Sequence, residues 1–257
     1  MNKKRIQSTD PARKLALLWG SHRSEGRSGL TLKAILSAAM ELADRDGLDA
    51  LSMREVAERL GAGTMSLYTY LPSKEDLIDL MLDTAYGELY ASVEEPSQQP
   101  GDWRDALRFI AQRNWDLYSR HPWMLQITSA RPAIGPHASL KYEAELRPLD
   151  KFGLSDVEMD ATLTLVLTHV EGCARAQAAL VRTQRDTGMT DAERWVTQEP
   201  LLKKIADLTH FPVATRVGTT AGQEYQGASS PEYAFRFGLD RILAGIAELI
   251  ASKASME

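Results

Sequence analysis

Only one cysteine, Cys173, occurs in 257 residues. A single thiol cannot close an internal disulfide, and a site built from several cysteines is excluded. A reducing cytoplasm is the simplest setting, so cytoplasmic localisation is the expectation. No stretch approaches the roughly 18 apolar residues that a membrane span needs. No signal-peptide apolar core follows the basic start Met-Asn-Lys-Lys-Arg. Strand signals are nearly missing: 211–217 scatters β-branched residues without clean alternation. There is no internal repeat and no low-complexity segment. A phosphate-cradling glycine loop, a serine-centred elbow and an HExxH signature are all absent, which leaves an enzyme with a helical fold as a weak alternative. The hydrophobic fraction of 44% and charged fraction of 25% exclude a disordered or fibrous chain. The length allows one large domain or two modest ones with a sizeable core.

Charge is unevenly placed around a net −5. Residues 1–30 carry seven Lys/Arg (Lys3, Lys4, Arg5, Arg13, Lys14, Arg23, Arg27) against Asp10 and Glu25, while residues 31–90 carry five against eleven acids. A basic arm thus precedes an acidic body. It reads either as a solvated tail or as an arm lying along phosphates.

Helix punctuation recurs along the chain. Residues 32–46 place Ile35, Ala38, Ala39, Leu42 and Ala43 on one face, and Gly47 stops the run. Ser52–Glu55, Ser155–Glu158 and Thr190–Glu193 have capping-box spacing, Ser73–Asp76 is a variant, and Ser230 precedes Pro231. Breaks are expected near 93–101 and 129–136, and a Gly/Thr/Ser-rich loop over 211–230. Pro148 should kink or end the helix over 137–152.

The segment SMREVAERLGAGTMSLYTY, Ser52 to Tyr70, has helix-turn-helix spacing. A first helix over 52–60 turns Val56, Ala57 and Leu60 inward, and small Ala57 lets a second helix cross closely. Gly61 supplies a turn position with φ > 0. A short second helix over about 63–70 buries Leu67 and exposes Thr64, Met65, Ser66, Thr69 and Tyr70. Pro72 ends it and Ser73 caps the next helix. An unrelated helical hairpin in a bundle is the plainer reading of the spacing alone.

Residues 31–80 closely resemble the DNA-binding domain of the TetR family of transcriptional regulators. The resemblance is carried by TLKAILSAAMELADRDG and LDALSMREVAERLGAGTMSLYTYLPSKEDLIDLM, with Ala57, Leu60-Gly61, Leu67-Tyr68, Leu71, Lys74 and Leu77 as its core. DWRDALRFIAQRNWDLYSRHPWM, IGPHASLKYEAELRPLDKFGLSD and EYAFRFGLDRILAGI are loosely similar to the C-terminal domain of the tetracycline-repressor-like branch. The resemblance implies an all-α homodimer: a basic arm over 1–30, a DNA-binding domain over 31–78, and a ligand-binding and dimerisation domain over 79–257. It implies a repressor released from a palindromic operator on double-stranded DNA by a small hydrophobic ligand. An activator-type regulator without small-molecule control is the alternative.

The resemblance also assigns residues. Arg54 matches a position that reaches a base edge, where bidentate donation to guanine is the physical basis; pairing with Glu58 at i+4 is its alternative. Ser52 caps the helix and faces a phosphate. Thr64, Met65 and Ser66 match the front of the recognition helix, where Met65 offers only apolar contact. Tyr68 and Tyr70 match phosphate-contacting positions, although Tyr68 equally suits half-buried packing. Thr69 stands where a larger aromatic residue is common. Lys74 matches a phosphate contact beside a helix N-terminus, and Thr31 and Lys33 would touch phosphate at the first helix. Glu41, Asp44 and Asp46 must then point away from DNA.

Beyond residue 100, Met159, Leu163, Val166, Leu167, Val170 and Ala174 share one apolar face. Phe235, Leu239, Ile242, Leu243, Ile246 and Ile250 share another. By resemblance these faces form a four-helix dimer interface, while a core within one chain has the same periodicity. Ligand-binding candidates are Trp103, Trp115, Tyr118, Trp123, Tyr142, His169 and Cys173, each also readable as plain core. No two histidines lie at i, i+3 or i+4, so no metal and no cofactor is expected. The helix from Ser73 to about Tyr90 is the expected lever, with its far end near Leu82, Tyr86 and Leu89.

Overall fold

A computed structural model describes residues 11–20, 30–127, 134–205 and 207–255. Among these residues there are eleven α-helices and no strand. Most of the basic arm, including Lys3, Lys4, Arg5, Arg23 and Arg27, lies outside the described residues. Compact units part at Thr164/Leu165 and at Leu249/Ile250.

The first unit is built on α1 (Pro11–Leu18), α2 (Leu32–Asp46), α3 (Met53–Arg59), α4 (Thr64–Tyr68), α5 (Lys74–Tyr86), α6 (Trp103–Arg120) and α7 (Pro136–Leu146). Ile35 and Ala39 of α2, Val56 of α3, Leu67 of α4, and Leu77 and Met81 of α5 are buried in one core. Leu117, Trp123 and Met124, from the end of α6 and the 3-10 turn after it, join that same core. Local capping explains where helices begin. Ser52, Ser73, Ser155, Thr190 and Ser230 each accept the N–H three residues on, at 3.0–3.4 Å. Asp102 and Asp105 form a further reciprocal box that opens α6. Gly47 closes α2 at φ 82°, and Gly61 turns the chain at φ 62° with open space around its Cβ position, so only the backbone angle calls for glycine there. α7 stops at Leu146, and Pro148 sits in the 3-10 turn that follows, as its ring requires.

The second unit is formed by α8 (Asp156–Thr187) and α11 (Pro231–Ala254), which both extend beyond it, with α9 (Asp191–Ile205) and α10 (Pro212–Tyr225). α10 corrects the expected loop over 211–230. Pro212 starts it, and Gly222, one of the glycines that suggested the loop, is the point where Trp195 of α9 packs: a Cβ there would meet the indole at 2.2 Å. Tertiary contact overrides the weak helix propensity of the glycines.

Two further expectations change. α5 ends at Tyr86, not near Tyr90, because Arg113 of α6 donates from Nε to the Leu89 carbonyl at 2.7 Å and Leu89 turns into the core. The apolar faces assigned to a dimer interface are also buried within one chain: Val166, Val170 and Ala174 of α8 and Phe235, Leu239, Leu243 and Ile246 of α11. His169 and Phe235 stack across the two helices, and the His169 Nε2 lies 2.9 Å from the Phe235 carbonyl. Helical periodicity reports burial and not the partner, so it could not separate these cases.

Candidate nucleic-acid interface

α3 and α4 meet through buried Val56, Ala57 and Leu67, and Leu71 closes the underside. The Ala62 N–H donates to the Ala57 carbonyl at 2.9 Å, which locks the turn around Gly61. This packing leaves the outer side of α4 without cover. Met65 is 76% exposed and Tyr68 is 43% exposed, while Thr64 and Ser66 are half-buried beside them. Thr69 is exposed, and its hydroxyl donates to the Ser66 carbonyl at 2.7 Å.

Arg54 projects from the first turn of α3, with its side chain 81% exposed and Nε 3.0 Å from Glu58 Oε1. An exposed ion pair of this kind contributes about 0–1 kcal/mol. A bidentate base contact is worth about 1–3 kcal/mol, so the pair does not prevent Arg54 from turning to a guanine. Ser52 is committed locally: its hydroxyl donates to Glu55 Oε2 at 2.9 Å while accepting the Glu55 N–H. The Tyr70 hydroxyl donates its one proton to the Leu30 carbonyl at 2.5 Å. Phosphate offers only acceptors, so Tyr70 orients the start of α2 and has no proton left for DNA. Lys74 donates to the Leu48 carbonyl at 2.8 Å and keeps two ammonium hydrogens. Thr31 caps α2 by accepting the Ala34 N–H, which leaves its own O–H free to donate, and Lys33 is exposed.

The three acids that must avoid DNA all have partners. Glu41 pairs with Arg59 and Asp46 with Arg45, each at 2.6 Å. Asp44 points inward, accepting from Trp123 Nε1 at 2.8 Å with His121 Nδ1 also 2.8 Å away. These last contacts join positions nearly eighty residues apart, and no local pattern announces them. Asp83 escaped the sequence reading in the same way. It is buried, accepts the Ala138 N–H at 2.9 Å, and so caps α7.

The ligand candidates are scattered. Trp123 is fully buried, and Trp103 is buried against Phe152. Trp115 and Tyr118 are half-buried, and Tyr142 is exposed with its hydroxyl donating to Asp160 at 2.8 Å. His169 and Cys173 belong to the second unit, where burial raises the Cys173 thiol pKa, the opposite of what a reactive thiolate needs. None of the seven lines the cleft of about 1160 Å³ that opens beside α1, α2 and α5. Near α6 and α7, Glu145 is fully buried and held by Tyr90 Oη at 2.8 Å, Asn114 Nδ2 at 2.7 Å and Lys141 Nζ at 2.5 Å. Burial and the Glu145 charge push the Tyr90 phenol pKa well up. Among the described residues no helix is long and apolar enough to cross a membrane, and no group of three or more His, Cys, Asp or Glu is placed to hold a metal ion.

Comparison with known proteins agrees with this geometry. Residues 35–81 match the family described as bacterial regulatory proteins, tetR family, and residues 95–250 match the tetracyclin repressor-like C-terminal domain. The chain is 40% identical to the HTH-type transcriptional repressor DrrR1 of Streptomyces coeruleorubidus, over 96% of this chain and 89% of that protein. Among solved structures it is similar to the TetR family protein ActR of Streptomyces coelicolor. The ActR complex with (S)-DNPA aligns with TM-score 0.68 and 25% identity, over 86% of this chain and 98% of that one. The complex with actinorhodin aligns with TM-score 0.66 and 25% identity, over 86% and 96%. A helix-turn-helix with an open recognition face, followed by a helical domain that matches the repressor-like C-terminal model, places this chain in the TetR family as a helix-turn-helix transcriptional repressor and not an enzyme.

Proposed function

We propose that two copies of this chain bind a palindromic operator with α4 of each in the major groove, and that a small hydrophobic ligand releases them. The observation that carries the DNA half is the uncovered face of α3 and α4: Arg54, Met65 and Tyr68 are exposed there, while Glu41 and Asp46 are paired with Arg59 and Arg45 and Asp44 is bound to Trp123. Arg54 reads a base edge, and Met65 packs on a thymine methyl. Tyr68, Lys74, Thr31 and Lys33 hold phosphates and set register without reading sequence. Ser52 and Tyr70 position this set, and Thr64, Ser66 and Thr69 line the edge of the groove.

Dimerisation is supported by apolar side chains left open in the second unit. Leu165 and Val181 of α8 and Tyr233 and Phe237 of α11 are each roughly half exposed. Gly172 and Gly245 have open space around them and would admit a partner helix closely. The division at 31–78 and 79–257 is one of role, since α5 runs across it. Release by a ligand is supported by the repressor-like C-terminal domain and by the ActR complex with actinorhodin. Tyr142, Trp115, Tyr118, His169 and Cys173 are the candidates with accessible surface.

The test is a mobility shift on the DNA upstream of the chain's own gene, repeated with a panel of apolar small molecules and paired with sedimentation. A retarded complex, released by at least one compound, is expected from a species of about twice 28.5 kDa. A clean monomer at micromolar concentration refutes the dimer.

A further inference from the structure

One charged cluster outside the reading face, a buried histidine between two partly exposed carboxylates, ties α2 to the far ends of α5 and α6. His121, directly after α6, is 8% exposed. Its Nδ1 lies 2.8 Å from Asp44 Oδ1 on α2, and its Nε2 lies 3.2 Å from Glu88 Oε2, two residues beyond α5. Ionised carboxylates only accept hydrogen bonds, so both ring nitrogens must carry hydrogen, and only the imidazolium does. Asp44 Oδ1 also accepts from Trp123 Nε1 at 2.8 Å, and Arg120 stands 3.4 Å from Glu88 Oε2. The other charges nearby on α2 are engaged, Glu41 with Arg59 and Arg45 with Asp46. A second grip follows four residues after Asp44: Gln126 Oε1 accepts the Leu48 N–H at 2.9 Å.

We propose that His121 is a positioning residue for DNA binding: its imidazolium locks α2, and through it α3 and α4, to the ends of α5 and α6, so that operator affinity falls when the ring loses its proton. The neutral ring has one N–H and one lone pair. Whichever nitrogen keeps the hydrogen, the other turns a lone pair toward a carboxylate, and one bridge becomes a repulsion. The three-way tie among α2, Glu88 and the end of α6 is then broken at one bond, and the end of α2 keeps the bonds of Trp123, Gln126 and Lys74. A loosened reading head spends less time in the orientation that fits both half-sites, and apparent affinity drops with that fraction. Burial disfavours the charged ring, but the hydrogen bonds and charges of Asp44 and Glu88 outweigh it, and the pKa is raised above the ordinary imidazole value. A raised pKa means that the lock is complete below the ordinary value and is lost as pH rises through the elevated one.

The proposal rests on α4 entering the groove and adds a control to it. Operator affinity of the full chain is measured by fluorescence anisotropy from about pH 6 to about pH 9 at constant salt, and the His121 ring is titrated by NMR in the free protein. Wild type is expected to lose about tenfold in affinity across that range, with its midpoint at the ring's own pKa. His121→Gln is expected to bind weakly at every pH with a flat profile. Glu88→Gln keeps an acceptor without the charge, and moves both midpoints down together. A wild-type profile parallel to that of His121→Gln, or a Glu88→Gln ring titration that shifts while the affinity midpoint stays, overturns the proposal. Should His121→Gln not fold, Glu88→Gln decides alone. Arg54→Ala, run alongside, is expected to lower affinity at all pH values without moving the midpoint; base preference left intact by it counts against the groove reading and not against the lock.

Discussion

Replacing Arg54 by alanine removes a side chain that the folded protein hardly uses. The side chain is 81% exposed, and its ion pair with Glu58, itself 63% exposed, spans 3.0 Å in water. Such a pair contributes about 0–1 kcal/mol, and substitution away from the core changes stability by about 0.5 kcal/mol or less. The melting temperature of Arg54→Ala should therefore match wild type within about 2 °C. DNA binding should respond differently. Loss of a bidentate guanine contact costs about 1–3 kcal/mol, or roughly fivefold to 150-fold for each half-site. Each dimer carries two such residues, so the full operator loses up to about the square of that factor when the sites are independent. Glu58→Ala is the matched control: it frees Arg54 from its intrahelical partner, and affinity should stay level or rise by up to about fivefold. The assay is anisotropy on the operator and on duplexes changed at single base pairs, with calorimetric melting of each variant. Arg54→Ala should flatten preference at one base pair per half-site and leave the others. Unchanged preference at every position would refute the base-reading role and return Arg54 to the intrahelical pair.

Leu67→Ala truncates a fully buried side chain where α4 meets α3, and should destabilise by about 2–5 kcal/mol in chemical denaturation; a cost below about 1 kcal/mol would mean that α4 is not anchored there. Gly222→Ala would drive a methyl to 2.2 Å from the Trp195 indole and should cost about 1–3 kcal/mol, with the change visible in tryptophan fluorescence; a neutral result would argue that 212–225 is the loop its composition suggests. Hydrogen bonding to Lys253 and to the Ser155 N–H and hydroxyl depresses the Glu158 carboxyl to a pKa of about 2. Its contribution is therefore in place above the ordinary glutamate value and lost as pH falls toward 2. Glu158→Gln should accordingly narrow the gap in melting temperature from wild type in acid, and an equal gap at pH 7 and in acid would count against the tie.

Legibility followed distance along the chain. Helix starts were readable because a cap and the N–H that donates to it sit three residues apart, as at Ser52, Ser155 and Thr190. The helix-turn-helix was readable because Gly61, Leu67 and Leu71 fall within a dozen positions. The loop wrongly expected over 211–230 shows the limit of that scale: Gly222 looks like a breaker until Trp195, 27 positions earlier, is seen packed on it. The apolar faces of α8 and α11 were found correctly, but periodicity could not tell a partner helix in the same chain from one in a second copy. Tyr70 shows the same limit at a single atom, since its proton goes to a carbonyl 40 residues away. The buried Glu145 set and the Asp44–His121–Glu88 set carried no signal, because charged residues in amphipathic helices are ordinarily solvated.

How a ligand could move α4 depends on what holds α5. Its N-terminal end is fixed to the reading domain: Leu77 and Met81 lie in the core shared with α2, and Lys74 donates to Leu48 beside the end of α2. Its middle is paired to α1 through Lys14 and Asp79. Near its far end, Asp83 is 3% exposed and accepts from the Ala138 N–H, with His137 Nδ1 3.0 Å away. α5 is therefore attached at one end to the DNA-reading helices and at the other to the first turn of α7. A hundredfold release requires about 2.7 kcal/mol of coupling. A hydrogen bond to a charged acceptor is worth about 1.5–3 kcal/mol, so displacing one of the bonds at Asp83 is of the size needed. A ligand that shifted α7 by a fraction of a turn would break it, whereas one that merely filled space beside α7 with equal affinity in both states would shift nothing, however tightly it bound.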